Sequence, residues 1–227
     1  MTIDPPGSII LPDTLSDWPW KRKINPHYLQ VKAEASAWIQ SLLIKTPGSQ
    51  QTFDLGEFEL LASLVYPLES KDILRSGCDL MYLFGLYDEY TDAATPREAQ
   101  QLATMVMDAM RHPEKARPSG ECVIGEVARQ FWNLSSKSVS EGARRRFLKS
   151  FDEYTISVVQ QAQDRAQKLI RNIDDYFTAR LDTSGAKPAL GVLEFGLDLP
   201  DQVFEDPVIQ RLINASVNMI ILTNVCN

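Results

Sequence analysis

The 227-residue sequence is poor in the residues that cross-link small folds or bind soft metals. It contains three cysteines, Cys78, Cys122 and Cys226, and only two histidines. An odd number of widely separated cysteines excludes a disulfide framework, and two histidines leave no zinc-binding pattern. We therefore expect reduced thiols and an intracellular protein.

The sequence also lacks long apolar runs and an excess of basic residues. No run approaches the roughly 18 apolar residues that cross a membrane, and the N-terminus does not have the pattern of a signal peptide. There are 23 basic and 30 acidic residues, which give a net charge of -7. This composition predicts a cytoplasmic protein without a membrane span and without a nucleic-acid partner. No pattern in the sequence specifies an oligomeric state.

Apolar residues recur at intervals of three and four along most of the chain, which is typical of amphipathic helices. The first such stripe is Leu29, Ala33, Ala37, Trp38 and Leu42. Further helices are predicted within 55–67, 70–92, 95–110, 121–134, 138–170, 173–183, 189–200 and 207–227. Thr95, Pro96 and Glu98 have the spacing of an N-cap, a first-turn proline and a capping box. Because no alternating strand pattern occurs, we predict one all-α domain at 27–227, preceded by an extended arm at 1–26.

The segment LFGLYDEYTD, residues 83–92, ends an apolar helix in three carboxylates. Asp88 and Asp92 lie four residues apart, so both face the same side of the helix. Like charges at this spacing repel, and the dipole at a helix C-terminus also disfavours anions. This placement is favourable when a cation is bound, although a helix that simply reaches solvent would carry the same residues.

Hard oxygen ligands favour Mg²⁺, which is commonly completed by the phosphates of a substrate. Met81 and Phe84 continue the stripe of Asp88 and Asp92 towards the apolar part of the helix. The combination predicts a metal-held diphosphate with a hydrocarbon tail in an apolar cavity that Phe84 and Met81 line.

The motif DEYTD resembles the aspartate-rich D-(D/E)-x-x-D motif of class I terpene synthases. LPDTLSDWPWKRKINPHY resembles the N-terminal arm of fungal, mushroom-type sesquiterpene synthases, and YFTARLDTSGAKPALGVLEFG resembles their helix-break segment. The resemblance implies an α-helical barrel around an apolar cavity. It further implies three Mg²⁺ ions that help to remove diphosphate from farnesyl diphosphate, giving a sesquiterpene hydrocarbon or alcohol.

The resemblance also assigns roles to single residues. Asp88 matches the first metal-binding aspartate, Glu89 stands where many relatives have a second aspartate, and Asp92 matches the last acid, which is more often supportive. Arg180 is similar to the arginine that senses diphosphate. The alternatives are a solvated or structural Arg180, and a DTSG segment that is an ordinary helix C-cap and turn.

The second metal motif of this family, (N/D)-D-x-x-S-x-x-x-E, is matched only in its first position. Asn224 stands there, on the same predicted face as Ile213, Val217 and Ile220, but Val225 follows in place of Asp. We therefore expect a sequence truncated within this motif, with the later helices missing. A C-terminal helix docked into its own core is the alternative.

Two functions remain open from the sequence. One is a Mg²⁺-dependent lyase that acts on a prenyl diphosphate. The other is a catalytically inactive helical pseudoenzyme or partner-binding protein of the same ancestry.

Overall fold

The computed structural model describes residues 16–42 and 56–225, and all regular structure in these two ranges is helical. The predicted all-α class is therefore confirmed. The α-helices are α1 (Tyr28–Leu42), α2 (Phe58–Val65), α3 (Lys71–Thr91), α4 (Pro96–Arg111), α5 (Val123–Ser135), α6 (Glu141–Gln167), α7 (Ile173–Thr183), α8 (Ala186–Gly191), α9 (Asp201–Glu205) and α10 (Pro207–Val225). Two 3₁₀ turns follow α5 and α8, at Ser136–Ser138 and Val192–Gly196.

Helix α1 begins close to the predicted position but buries a different face. Its buried residues are Val31, Ala35 and Ile39, whereas Leu29 of the predicted stripe is 78% exposed. Both rows have a spacing of four, and the row that meets α2 and α3 is buried. Trp38 and Leu42, which end the predicted stripe, are partly buried against the core, so only part of that stripe contacts it.

Helix α3 runs through the centre of the fold and packs on α1, α2 and α5. Ser70 caps its N-terminus by accepting a hydrogen bond from the backbone N–H of Ile73. Gly77 allows a close approach, because a Cβ at this position would lie 2.2 Å from the ring of Tyr66. Residues 80–83, 86 and 87 are buried, which agrees with the apolar run in the sequence.

Helix α4 begins as predicted, with Thr95 and Glu98 forming a capping box and Pro96 in the first turn. Helix α6 packs on α4, and its 27 residues begin after the N-cap Ser140. It ends at Gln167, and the C-cap residue Lys168 adopts the left-handed conformation with φ of 54°. The predicted helix at 189–200 is wrong in extent, since this segment divides into the end of α8, a 3₁₀ turn and an irregular stretch.

Helix α10 contacts α7, α8 and α9. Val217 and Ile221 are fully buried against α7 and α8, and Ile213 is partly buried in the same cluster. Ile220 is 41% exposed and Asn224, at the end of the helix, is exposed as well, so the predicted face that these two residues share is not the one that packs on α7 and α8. The inward row is 213, 217 and 221, because residues four apart follow one line along the helix.

The predicted arm is only partly described, since residues 1–15 and the predicted helix break at 46–54 lie outside the described ranges. Residues 16–26 contain no helix, and Trp18 and Trp20 are exposed. Asn25 is buried and donates hydrogen bonds to the carbonyls of Tyr66 and Glu69. The boundary between arm and domain stays a prediction. Over both described ranges, no helix is long and apolar enough to span a membrane.

Candidate metal and diphosphate site

The predicted aspartate-rich motif lies at the C-terminal end of α3, where the helix leaves the core. Asp88 and Glu89 are exposed, and Asp92 is the C-cap residue, whose backbone N–H donates to the carbonyl of Asp88 at 2.8 Å. Thr91 is buried and its hydroxyl donates to the carbonyl of Tyr87 at 2.8 Å. The carboxylates therefore stand on an ordered helix end rather than on a loop.

Helix α6 contacts this helix end at two points. The hydroxyl of Tyr154 donates to Oδ1 of Asp88 at 3.2 Å. About three turns further along α6, the guanidinium of Arg165 donates to the carbonyl oxygens of Thr91, at 2.8 Å, and Ala94, at 3.4 Å. A cation at the last carbonyls of a helix is favourable, because it opposes the negative end of the helix dipole.

The Asp88 carboxyl reaches solvent, but the surrounding protein still raises its pKa. Loss of solvation is the largest cause, and the negative charge of Asp92 acts in the same direction. The hydrogen bond from Tyr154 and the positive charge of Arg180 lower this pKa in opposition. Loss of solvation and the neighbouring Asp92 therefore outweigh the favourable contacts of the Asp88 carboxyl with Tyr154 and Arg180.

The three carboxylates of the motif have no ion-pair partner in the described part of the chain, where fourteen other ion pairs form. The described residues also contain no group of three or more His, Cys, Asp or Glu side chains that could hold a metal ion. Two accessible, uncompensated carboxylates one turn apart fit a Mg²⁺ ion that takes its other ligands from water and substrate oxygens. Asp88 and Asp92 thus fit the predicted ion as a partial ligand set.

Arg180 of α7 connects the predicted diphosphate site to the predicted second metal motif. Its terminal nitrogens lie 3.4 Å from Oγ1 of Thr183 and 3.4 Å from Oδ1 of Asn224 on α10. Its Nε is buried and has no hydrogen-bond partner among the described residues. An unpaired buried donor on a cation is costly and favours an anionic acceptor. The structure therefore brings Asp88, Arg180 and Asn224 to neighbouring positions on three helices. It records no contact that joins Glu89 to them.

Phe84 lies one turn below Asp88 and links α3 to the break between α7 and α8. Its ring stacks on Phe151 at 5.9 Å and meets Tyr154 edge-on at 5.1 Å between centroids. Gly185, with φ of 68°, lies against the same ring, since a Cβ there would be 3.3 Å from it. The DTSG turn therefore packs directly beneath the acidic end of α3.

The predicted apolar cavity is not outlined by the described residues. Met81 is 7% exposed and belongs to the main core, and Phe84 is partly buried beside it. Four pockets in the described part of the chain are lined by other residues. One of them is a cleft of about 540 Å³ between α6 and α7, which Arg165, Arg180 and Thr183 help to line. Cavity lining by Phe84 and Met81 stays a prediction.

Sequence reasoning missed Tyr154 and Arg165. Both lie within the long amphipathic pattern of α6, where aromatic and basic residues indicate only core and solvated faces. Their contacts join residues 66 and 74 positions apart in the chain. No local spacing in the sequence could have indicated these contacts.

The chain resembles fungal terpene synthases in sequence. The family model described as terpene synthase family 2, C-terminal metal binding, matches residues 79–224. A Delta(6)-protoilludene synthase of Stereum hirsutum is 50% identical over 216 residues, which are 95% of this chain and 58% of that protein. Sesquiterpene synthase 9 of Postia placenta is 46% identical over 219 residues, which are 96% of this chain and 64% of that protein.

The fold agrees with this result. The crystal structure of an α-eudesmol synthase superposes with a TM-score of 0.78 at 21% identity, over 92% of this chain and 70% of that one. The all-helical architecture is that of class I terpene synthases. The chain spans about 60% of the length of the two fungal relatives. Since the family model covers well over half of the sequence, this chain belongs to terpene synthase family 2.

Proposed function

We propose that this chain provides the aspartate-rich side of a sesquiterpene synthase site, which ionises farnesyl diphosphate with Mg²⁺ and forms a sesquiterpene hydrocarbon or alcohol. The observation that carries the proposal is the pair Asp88 and Asp92, which is exposed and forms no ion pair within the described residues. The charge of Arg180 acts on Asp88 from nearby. The sequence similarity to fungal sesquiterpene synthases supports the substrate class. The proposed place of action is the cytoplasm.

In this proposal Asp88 and Asp92 are the ligands of the metal that binds the diphosphate, and Glu89 is a weaker ligand. Asn224 of α10 is a further weak ligand from the other side of the site. Mg²⁺ held by these residues, three ions by family resemblance, would supply positive charge that makes the diphosphate a better leaving group. Arg180 binds the leaving diphosphate from α7, since no acceptor for its buried Nε lies in the part of the chain that the structure describes. No side chain acts as a general acid or base in the ionisation step.

The apolar surface below the carboxylates has a separate role in the proposal. The face of α3 that carries Asp88 also carries Phe84, one turn earlier, and Met81, two turns earlier and deeper in the core. An aromatic face stabilises a nearby carbocation, and an apolar wall keeps water away from it. These two residues therefore protect the hydrocarbon cation after diphosphate leaves.

The test is product formation by the purified chain with farnesyl diphosphate and MgCl₂, with volatile products identified by gas chromatography and mass spectrometry. The variants are Asp88→Asn and, as a matched control, Asp72→Asn, an exposed acid in the first turn of the same helix. We expect product from the wild type and Asp72→Asn, and at least a 100-fold loss in Asp88→Asn. Equal product from all three chains would disprove the assignment of Asp88. No product from any folded chain would favour the catalytically inactive alternative.

A further inference from the structure

Tyr154 is in direct contact with Asp88, the predicted metal ligand, although Tyr154 belongs to no sequence motif. Its side chain is 2% exposed, yet its hydroxyl reaches Oδ1 of Asp88 at the surface. Within the described ranges this is the single hydrogen bond recorded for the side chain of Asp88, and Oδ2 of the carboxylate accepts none. One oxygen is therefore held from inside the protein, and the other is available to a ligand.

Three aromatic rings fix the position of the Tyr154 ring. Phe84 meets it edge-on at 5.1 Å, Phe151 meets it edge-on at 5.5 Å, and Tyr87 lies at 5.7 Å between centroids. Close packing in a core holds side chains in single rotamers. The Tyr154 hydroxyl is thus a donor with a fixed position, whereas an aspartate near a helix end would otherwise be free to change rotamer.

The same helix also fixes the backbone beside Asp88. Arg165 donates to the carbonyl of Thr91, so α6 holds both the side chain of Asp88 and the end of α3 that carries Asp92. Residues that orient metal ligands commonly change metal affinity about 10- to 100-fold when they are mutated. This effect arises because a metal-binding side chain that is not already held in place loses conformational freedom when it binds the ion.

We propose that Tyr154 is a positioning residue that fixes the Asp88 carboxylate through Oδ1 and leaves Oδ2 free to bind Mg²⁺. The inference rests on the proposed function, since it requires that Asp88 binds the ion. Tyr154 touches neither the ion nor the substrate in this proposal.

Tyr87 provides a matched control for the removal of a buried hydroxyl. Its ring is fully buried next to Tyr154, and its hydroxyl has no hydrogen-bond partner among the described residues. Tyr87→Phe and Tyr154→Phe therefore remove the same atom from adjacent rings, but only the second removes a bond to Asp88.

The experiment measures Mn²⁺ binding in the presence of inorganic diphosphate, by electron paramagnetic resonance of the full chain. The chains are wild type, Asp88→Asn, Tyr154→Phe and Tyr87→Phe, each with its melting temperature recorded. We expect about a tenfold weaker Mn²⁺ affinity in Tyr154→Phe and a change of less than about twofold in Tyr87→Phe. Asp88→Asn should bind no Mn²⁺ at this site.

The outcomes separate the two proposals. If wild type binds Mn²⁺ and Asp88→Asn does not, but Tyr154→Phe binds as tightly as wild type, only the role of Tyr154 is wrong. If wild type binds no Mn²⁺ or Asp88→Asn binds equally, the proposed metal site fails and the role of Tyr154 fails with it. If Tyr154→Phe does not fold, NMR of chains with ¹³Cζ-labelled tyrosine decides. The Tyr154 signal must then differ between wild type and Asp88→Asn, and an unchanged signal overturns the inference.

Discussion

The two halves of α3 carry acidic residues in opposite ways. In the buried half, Asp79 is fully buried and both of its oxygens accept hydrogen bonds from Nε of Arg75, four residues earlier, at 2.8 and 3.0 Å. At the exposed end, Asp88 and Asp92 have the same spacing of four but equal charge, and neither has an ion-pair partner among the described residues. One helix therefore contains both a compensated and an uncompensated charge at the same spacing.

The difference indicates which charges the fold itself requires. A buried carboxylate must be paired or protonated, because burial without a partner costs several kcal/mol. The acids at the exposed end still reach solvent, although Asp88 is partly desolvated, so the fold tolerates them without a cation. The Asp88 carboxylate has beside it the neutral hydroxyl of Tyr154 and the charge of Arg180. The fold leaves this end of α3 with negative charge that a divalent ion can neutralise.

The largest effect is expected from a substitution that breaks the compensated pair of Arg75 and Asp79. Arg75→Leu leaves Asp79 buried without its partner, and we expect a loss of about 3 kcal/mol in the free energy of unfolding at pH 8.5. The control Lys71→Leu removes the ion pair with Glu34, which is more exposed than the pair of Arg75 and Asp79. It should lower the free energy of unfolding by less than about 1 kcal/mol. Urea unfolding followed by circular dichroism measures both values.

The same variant has a defined pH dependence. Burial raises the pKa of Asp79 to about 7, although Arg75 acts to lower it. A carboxyl whose pKa is higher in the folded state than in the unfolded state favours folding at low pH, and this contribution is lost as pH rises through the folded pKa. Removal of Arg75 raises the pKa further, so the deficit of Arg75→Leu should grow between pH 6 and pH 8.5. A deficit that is constant or shrinks over this range would contradict the compensated-pair account.

A smaller effect is expected where the helix break meets the uncompensated end. Residue 185 has a φ of 68°, and Gly185→Ala places a Cβ 3.3 Å from the ring of Phe84. We expect a loss of about 1–2 kcal/mol in the free energy of unfolding. Gly120→Ala is the control, because φ is 81° there but no atom lies within 4 Å of the added Cβ. Thermal unfolding measures the loss of stability in both variants. Backbone strain contributes to both losses, whereas steric contact with Phe84 contributes only in Gly185→Ala. Equal costs would show that the contact with Phe84 adds nothing.

The sequence predicts the helices better than their buried faces. The start of α4 is predicted correctly because Thr95, Pro96 and Glu98 act within one turn. The inward face of α1 is predicted only in part, because Leu29 and Val31 begin two competing apolar rows and packing against α2 and α3 decides between them. Local chemistry is visible in a sequence, whereas the choice of a partner surface is not.

The candidate site divides in the same way. Its acids and Arg180 are found from short motifs, since residue type and spacing carry that information. Tyr154 and Arg165 reach the site from α6 across 66 and 74 residues of chain. Their roles depend on which helices lie side by side, which spacing within one helix does not determine.

The smallest expected change in intrinsic stability comes from the double variant Asp88→Asn with Asp92→Asn. Without ligands it should be as stable as wild type or more stable by a few tenths of a kcal/mol, because like-charge repulsion and an unfavourable dipole interaction are removed. The measurement that tests the central claim most directly is the melting temperature of both chains with and without Mg²⁺ and inorganic diphosphate.

A ligand that binds only the folded state raises its stability. We therefore predict that Mg²⁺ with diphosphate raises the melting temperature of wild type by several degrees and leaves the double variant unchanged. An equal rise in both chains, or a double variant that is clearly less stable than wild type without ligands, would contradict the claim that these two acids are left uncompensated to bind a cation.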